Sequence, residues 1–404
     1  MITTQLTNSV QSHIDEVLHE LIDIRHDIHA HPELGYAETR TSQVIQDFLS
    51  SHDISFKAGL AKGTGVLGHI EGTGDKAVGL RADIDALPIV EENTFDWKSV
   101  HEGCMHACGH DGHTTILLGT ALVLSRIAKE HALPNPVTLV FQPAEEGGGG
   151  GEQMVLDGCL DGTIIGPEVG MMFGLHGWPQ HALDHVATRE GPMLAANVDI
   201  SVTIRGVGGH AAFPYMCKDP ILCASQIVSS LQQMVSRNTN PLDSLVVSIT
   251  QMHGGTAKNI IPDEVSFSGT MRYLQQETGD LAKKQFIKIV NGVADAHGCK
   301  ATITLRDGYP VTRNHADAVD SFFEIAKSTI DADRVSEFEH PVMGGEDFSY
   351  YCQKVPSCFF ALGLLPDGQE SMASLHQPTF DFNDDAIATG IKLFCALALR
   401  TELG

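Results

Sequence analysis

Two short stretches concentrate the side chains that could carry out chemistry in this chain. The first, MHACGHDGHTT at 105–115, places Cys108 two residues before His110 in a glycine-containing loop that precedes a helix. Thiolate and imidazole groups bind divalent transition metals, so one hypothesis for this loop is a metal site. The alternative is a redox pair of Cys104 and Cys108, which a reducing compartment disfavours.

The second stretch, FQPAEEGGGGG at 141–151, places Glu145 and Glu146 after the apolar run VTLVF and before five glycines. Adjacent side chains of an extended segment point in different directions, so one can bind a metal while the other faces a water. A metal-dependent hydrolase needs this combination of a ligand carboxylate and a general base. An exposed acidic turn is the alternative.

Two more histidines and two aspartates lie in similar settings. His176, in FGLHGWP, follows an apolar run, and His376 lies in SLHQPTF; each is a candidate ligand or a structural hydrogen-bonding residue. Asp83 and Asp85, in LRADIDALP, share one face of a strand end. Either aspartate binds metal directly or orients a ligand imidazole.

These groups require elements that position them. Apolar residues at helical spacing predict a helix over 9–30, ending before Pro32, and another over 38–49. Short apolar runs then alternate with helical segments. This order predicts an α/β fold with a central, mostly parallel sheet.

The alternation of short apolar runs with helical segments changes near Gly191. From there the order strand–helix–strand–strand–helix–strand predicts a ferredoxin-like βαββαβ domain over 191–310. Because α/β patterning resumes after it, we expect this domain to be inserted into a discontinuous domain formed by 1–190 and 311–404.

Composition excludes several classes of protein. The 404 residues include 51 acidic and 26 basic side chains, a formal charge of −25, which argues against nucleic acid or an anionic membrane as partner. The nine cysteines are dispersed, as in reduced proteins, and neither a signal peptide nor a run of apolar residues long enough to span a membrane is evident. We therefore expect a cytoplasmic protein.

The motifs together resemble a family of metal-dependent amidohydrolases and peptidases. That family includes hippurate hydrolase, N-acyl-amino-acid deacylases and plant auxin-conjugate (IAA-amino acid) hydrolases, with carboxypeptidase G and aminoacylase as more distant relatives. The segments that carry the resemblance follow the family's order along nearly the whole chain: RHDIHAHPELGYAE (25–38), LRADIDALP (80–88), MHACGHDGHTT, FQPAEEGGGGG, GLHGWP (174–179), GVGGHAAFP (206–214), NIIPDE (259–264), GTMR (269–272), GGEDFSYY (344–351) and LHQPTFDFND (375–384).

The resemblance implies a site for two divalent metal ions in each subunit. The implied ligands are Cys108, His110, Glu146, His176 and His376, with the thiolate of Cys108 bridging the two ions. A thiolate ligand favours zinc, manganese, cobalt or nickel over calcium or magnesium, and the sequence does not choose among the four. Glu145 is implied to act as general base towards a metal-activated water and then as general acid.

The resemblance also implies substrate-binding residues. His210 and Asn259 match positions that reach the substrate from the inserted domain, which serves as a lid and a dimerisation surface in the family; in dimers this histidine comes from the neighbouring subunit. Arg272 is a candidate partner for a substrate carboxylate, or else a salt-bridged surface residue. Glu346 is expected near the metals.

The implied activity is hydrolysis of the amide bond of N-acyl amino acids, such as hippurate or N-acetyl amino acids. A dipeptidase or carboxypeptidase, or a deacetylase of the N-acetyl-diaminopimelate type, is the alternative with the same site. A homodimer or higher homo-oligomer formed through the inserted domain is also expected. A non-catalytic binding protein is disfavoured because Glu145 and all five candidate ligands are present.

The remaining polar residues of 105–115 match no ligand of the family. His106 is expected to pack against the loop. His113 is expected to point toward a different face from the site, in a packed role or as a residue that supports a ligand. We expect Thr114 and Thr115 to cap a helix over 116–130, with Asp111 as another candidate cap.

Overall fold

The computed structural model describes the backbone of residues 4–403 and the side chains of residues 9–403. The chain forms two compact units: the first comprises Met1–Gly191, Arg313–His340 and Asp347–Gly404, and the second comprises Pro192–Thr312 and Pro341–Glu346. Within the described part of the chain, no helix is both long enough and apolar enough to cross a bilayer.

The helices and strands are numbered in chain order. The helices are α1 (Thr4–Ala30), α2 (Thr39–Ser51), α3 (His110–Glu130), α4 (Gly150–Leu156), α5 (Pro220–Gln233), α6 (Gln276–Ala296), α7 (Ala316–Lys327), α8 (Ser349–Cys352) and α9 (Ala386–Arg400). The strands are β1 (Ser55–Leu60), β2 (Gly65–Ile70), β3 (Ala77–Asp83), β4 (Val137–Gln142), β5 (Val169–Ala182), β6 (Val186–Thr188), β7 (Gly191–Leu194), β8 (Ala196–Arg205), β9 (Gly209–His210), β10 (Leu245–Gly254), β11 (Ile260–Ile261), β12 (Glu264–Tyr273), β13 (Lys300–Asp307), β14 (Thr312–Asn314), β15 (Val335–Glu337) and β16 (Ser357–Leu365).

The first unit is built on an eight-stranded sheet in the order β1-β2-β4-β3-β5-β16-β6-β15. Its central pairs β4–β3, β3–β5 and β5–β16 are parallel. The strands β2, β3 and β4 are buried along their whole length, as expected for a sheet covered on both faces. The predicted α/β fold with a largely parallel sheet is confirmed, and the parallel strands bring their carboxyl ends to one edge.

Helix α3 begins earlier than the sequence predicted. It starts at His110 after Gly109, which has the left-handed φ of 89°. The predicted caps are wrong: Thr114 and Thr115 lie inside the helix, where their hydroxyls donate to backbone carbonyls at 3.1 and 2.8 Å. Asp111 lies in the first turn but does not cap it, because two buried cations from α1 compete for its carboxylate.

The second unit is an antiparallel sheet in the order β10-β12-β8-β13, with α5 and α6 packed against it. The elements follow the βαββαβ order that the sequence predicted for this region. The strand β8 alternates buried and exposed residues along its length, which is typical of a sheet covered on one face only. The short strands β9 and β11 pair next to this sheet, outside its hydrogen-bonded order.

Candidate metal centre

The candidate ligands of the first unit come from segments far apart in the sequence. His110 begins α3, Glu146 follows β4, and His176 lies within β5. His376 lies in the loop between β16 and α9, where its backbone N–H donates to the carbonyl of Ala107 at 2.8 Å. This hydrogen bond joins the loop to the segment that carries Cys108.

Cys108 lies at the centre of the cluster. Its Sγ is 3.3 Å from Nε2 of His176 and 3.3 Å from Nε2 of His376. The alternative redox pair is not formed, since the thiol of Cys104 donates to the carbonyl of Pro32 at 3.5 Å and both cysteines are free.

Hydrogen bonds fix which nitrogen of each buried imidazole faces the cluster. Nδ1 of His110 lies 2.9 Å from the carbonyl of Asp85, and Nδ1 of His176 lies 2.8 Å from the carbonyl of Gly177. A carbonyl oxygen can only accept, so each Nδ1 carries a proton and donates it. Nε2 of both residues is thereby directed into the cluster, as in histidine ligands whose other nitrogen is held by the protein.

The two adjacent glutamates face the same cluster. Oε1 of Glu146 lies 3.2 Å from Nε2 of His376 and 4.0 Å from Nε2 of His110. Glu145 is buried and has a carboxylate oxygen within 4.8 Å of ligand atoms of both His110 and Glu146. The alternative of an exposed acidic turn does not hold for Glu145, because this residue is only 7% exposed.

Four overlapping groups of side chains in the first unit have the composition and spacing of metal sites. In each group the ligand atoms lie within 4.8 Å of one another; the groups are Cys108–His110–His176, Cys108–Glu146–His376, His110–Glu145–Glu146 and Asp83–His110–His113. Cys108 belongs to two of the groups. Thiolate, imidazole and carboxylate ligands together fit zinc and its neighbours among the divalent metals.

An unpartnered polar atom supports this fit. Nε2 of His110 is buried and has no hydrogen-bond partner among the described residues. Leaving buried polar atoms unpaired is costly unless another group, such as a cation, takes the place of the partner. The residues present therefore fit a metal ion.

The charges around the candidate ligands also favour a bound cation. Burial alone would lower the pKa of His110, but Asp83, Asp85 and Glu146 raise it to about 10. Burial, with the carboxylates of Glu146 and Glu145, raises the pKa of the Cys108 thiol. Surroundings that favour a protonated imidazole and disfavour a thiolate are strongly negative, so a bound cation would be stabilised there.

Asp83 and Asp85 hold other groups in place. Asp85 accepts from Nδ1 of His110 through Oδ1 at 3.2 Å and from the backbone N–H of Glu146 through Oδ2 at 2.9 Å. Asp83 accepts from Arg81 through Oδ2 at 2.7 Å and from His113 through Oδ1 at 2.6 Å. Of the two roles expected for these aspartates, the geometry favours orienting other side chains over binding metal.

Much of the buried polar network around the candidate ligands was not predicted from the sequence. Arg81 and Gln142 both donate to Asp347, and Glu38 accepts from the backbone N–H of Ala144 at 2.8 Å. Arg81 and Glu38 lie in the motifs LRADIDALP and RHDIHAHPELGYAE, which is the only signal that could have identified them. Nothing in the sequence indicated their partners. His106 is buried, as expected, and burial lowers its pKa to about 3.

The other four candidate residues belong to the second unit. His210 ends β9, and Asn259 immediately precedes β11, the strand that pairs with β9. The carbonyl of Asn259 accepts from the N–H of Ala211 at 3.0 Å. The side chains of His210 and Asn259 are both exposed. Nδ1 of His210 accepts from the N–H of Ala212 at 3.0 Å, so its Nε2 carries the proton of the neutral ring. The exposed Nε2–H is thus a hydrogen-bond donor.

Arg272 and Glu346 lie in the same unit. Arg272, on β12, donates to the carbonyl of Met343 at 2.9 Å. Among the described residues no carboxylate forms an ion pair with it, so the salt-bridged alternative is not what the structure shows. Glu346 is buried, and its carbonyl accepts from the hydroxyl of Thr312 at 3.0 Å.

Comparison with known proteins gives relatives that match nearly the whole chain. The chain is 40% identical to an IAA-amino acid hydrolase of Arabidopsis thaliana over 385 residues, which cover 94% of this chain and 85% of the relative. It is 35% identical to the N-acetylcysteine deacetylase of Bacillus subtilis over 387 residues, covering 95% and 98%. The chain therefore has hydrolases among its relatives.

Solved structures and a family model agree with these relatives. A Bacillus subtilis protein described as a dinuclear metal binding peptidase superposes with a TM-score of 0.81 at 31% identity, covering 95% of this chain and 98% of the other. The model of peptidase family M20/M25/M40 matches residues 79–400. A match over most of the chain shows that this protein is a hydrolase belonging to peptidase family M20/M25/M40.

Proposed function

We propose that this protein is a two-metal amidohydrolase that cleaves the amide bond of N-acyl amino acids to give a carboxylic acid and a free amino acid. The observation that carries the proposal is the position of Cys108 in two metal-ligand groups, beside a buried glutamate that belongs to neither of them. The family relationship supports an enzyme of this class.

In this proposal, Cys108, His110, Glu146, His176 and His376 hold two divalent ions. Zinc, manganese, cobalt and nickel all suit this set of ligands. When bound, such ions supply Lewis acidity and lower the pKa of a coordinated water.

The chain's own residues supply the remaining chemistry. Glu145 removes the proton from the attacking water and delivers it to the leaving amine, since its carboxylate is buried beside the ligand atoms of His110 and Glu146. His210, through Nε2–H, and Asn259, through its side-chain amide, stabilise the oxyanion that forms at the amide carbonyl. Arg272 binds the carboxylate of the amino acid product.

The names of two relatives support this substrate class. One is named for IAA-amino acid conjugates and the other for N-acetylcysteine, and both substrates are amino acids acylated on nitrogen. The acyl group differs between the two, so the shared amino acid part is the better guide to this chain. Peptide hydrolysis is the second candidate, because a relative from Saccharolobus solfataricus is named a thermostable carboxypeptidase.

The direct test is a substrate panel with each divalent metal added in turn. N-acetyl, N-benzoyl and N-indoleacetyl amino acids are compared with dipeptides and C-terminally blocked peptides. We expect turnover of at least one N-acyl amino acid and its loss in Glu145→Gln by about 10²- to 10⁴-fold, with metal retained. Turnover of peptides alone would contradict the proposed substrate class, and an active Glu145→Gln would contradict the proposed base.

We further propose a cytoplasmic homodimer in which His210 acts across the subunit interface. The second unit exposes large apolar side chains, including Tyr215 at 82% and Met216 at 69%, which a partner would cover. Mixing the inactive variants His210→Ala and Glu145→Gln should restore part of the activity. A monomer at assay concentration, measured by light scattering, would contradict this arrangement.

A further inference from the structure

His113 is a buried histidine that the proposed ligand set leaves without a role. It lies one turn after His110 on α3 and is 1% exposed. The backbone N–H of Gly177 donates to its Nε2 at 2.8 Å, so Nε2 carries no proton. Nδ1 therefore carries the proton and donates it to Oδ1 of Asp83 at 2.6 Å.

The acceptor of this proton is itself held firmly. Oδ2 of Asp83 accepts from Arg81 at 2.7 Å. Arg81 in turn donates to Gln142 and to Asp347, each at 2.9 Å, and all of these side chains are buried. Buried networks in which the partners are paired hold their members in one arrangement. His113 is thereby fixed at its Nδ1 end.

At its other end His113 contacts the backbone of Gly177, a residue that also holds His176. The carbonyl of Gly177 accepts from Nδ1 of His176 at 2.8 Å, while the N–H of the same residue donates to His113. A Cβ on Gly177 would lie 2.8 Å from Leu364 and 2.9 Å from Phe382, so this backbone is tightly enclosed. The rings of His113 and His176 are also in contact, with centroids 4.7 Å apart.

We propose that His113 is a positioning residue that fixes the imidazole of His176 through the Gly177 residue, so that Nε2 of His176 faces the sulfur of Cys108. The inference rests on the proposed metal centre. The hydrogen bond from the Gly177 N–H to Nε2 of His113, together with the one from Nδ1 of His176 to the Gly177 carbonyl, restricts both the ring's orientation and its tautomer. Outer partners of this kind typically change metal affinity by 10- to 100-fold when removed.

Two substitutions test the two hydrogen bonds of the His113 imidazole separately. In His113→Asn the amide nitrogen can replace Nδ1 and donate to Asp83, but nothing accepts from Gly177. In His113→Gln the amide oxygen can replace Nε2 and accept from Gly177, but the donation to Asp83 is lost. We expect His113→Asn to bind Co²⁺ or Zn²⁺ about 10- to 100-fold more weakly and His113→Gln to bind within about threefold of the wild type.

The affinity of each ion is measured by chelator competition, and the Co²⁺ absorption spectrum reports the ligand geometry directly. Thr120→Val is the matched control, since the hydroxyl of this buried threonine of the same helix donates to the carbonyl of Ile116 and has no other hydrogen-bond partner among the described residues. We expect the control to keep the wild-type spectrum and affinity. A changed Co²⁺ spectrum in His113→Asn with an unchanged control would support positioning over a loss of helix stability.

A double-mutant cycle tests whether the effect passes through His176. In a His176→Ala background, His113→Asn should cause no further loss of affinity, because the group it positions is gone. Equal losses in both backgrounds would overturn the inference, and so would a 10-fold loss in His113→Gln, even if the Asn variant did not fold. Wild-type protein that binds no metal would instead overturn the proposed metal centre.

Discussion

At the scale of single residues, the candidate metal centre is formed by side chains that lie far apart in the sequence. Cys108, His110, Glu146, His176 and His376 meet in overlapping groups. Asp83 could not be assigned from spacing, because its role depends on which partners occupy its two oxygens. Those partners are Arg81, two residues earlier, and His113, thirty residues later.

The proposed binding of the substrate carboxylate by Arg272 can be tested with a single substitution. If its guanidinium binds the carboxylate of the substrate, Arg272→Ala should raise KM for an N-acyl amino acid by about 10- to 100-fold, as expected for a lost charge-assisted hydrogen bond. The same variant should leave KM for the corresponding N-acyl amino acid amide nearly unchanged. Steady-state kinetics on the two substrates makes the comparison, and an equal loss on both would show that Arg272 acts in another way.

At the scale of elements, hydrophobic patterning predicted which segments are helices and strands, while tertiary contacts decided their ends. The helix over 9–30 was predicted to end before Pro32, and α1 ends at Ala30. The start of α3 was misplaced because Gly109 allows a left-handed turn and because Arg25 and His29 draw Asp111 away from capping. Such long-range competition leaves no local signal in the sequence.

The loop after β4, residues 143–151, depends on the same kind of distant contact. Glu38, at the start of α2, accepts from the N–H of Ala144 at 2.8 Å and from the hydroxyl of Thr64 at 2.8 Å. Burial raises the pKa of Glu38 to about 7. The carboxylate thus restrains the residue that immediately precedes Glu145.

Removal of this restraint should affect both stability and catalysis. Glu38→Ala leaves the buried N–H of Ala144 unpaired, so we expect the free energy of unfolding to fall by about 1–3 kcal/mol and kcat to fall as Glu145 loses its position. Thr64→Val is the matched control, since it removes only the second hydrogen bond. Urea unfolding and kcat are measured for both variants; equal kcat for Glu38→Ala and the wild type would contradict a positioning role.

At the scale of the whole molecule, a buried ion-pair network joins α1 to α3. His29 contacts Asp111 at 2.9 Å and Glu91 at 3.1 Å, and all three side chains are almost fully enclosed. Burial alone would lower the pKa of His29, but Asp111 and Glu91 raise it from 6.5 to about 9. The folded chain therefore binds a proton at His29 that the unfolded chain releases between these two values.

This difference predicts how stability changes with pH. The contribution of protonated His29 is complete below about pH 6.5 and is lost as pH rises through 9, because the folded state binds more protons in that window. The full contribution is on the order of 3 kcal/mol, from the pKa difference. Urea unfolding of wild type and His29→Gln should differ most near pH 6 and least near pH 10, whereas a difference that grew with pH would contradict the assignment.

The proposed binding of both metal ions by Cys108 is tested most directly by the metal content of the protein. We predict that purified wild-type protein and the control Cys104→Ala hold close to two divalent ions per chain by inductively coupled plasma mass spectrometry. Cys108→Ala should lose affinity for both ions while remaining folded by circular dichroism. Wild-type protein that hydrolyses its substrate with no metal bound, or a Cys108→Ala variant that retains two ions at wild-type affinity, would contradict the account.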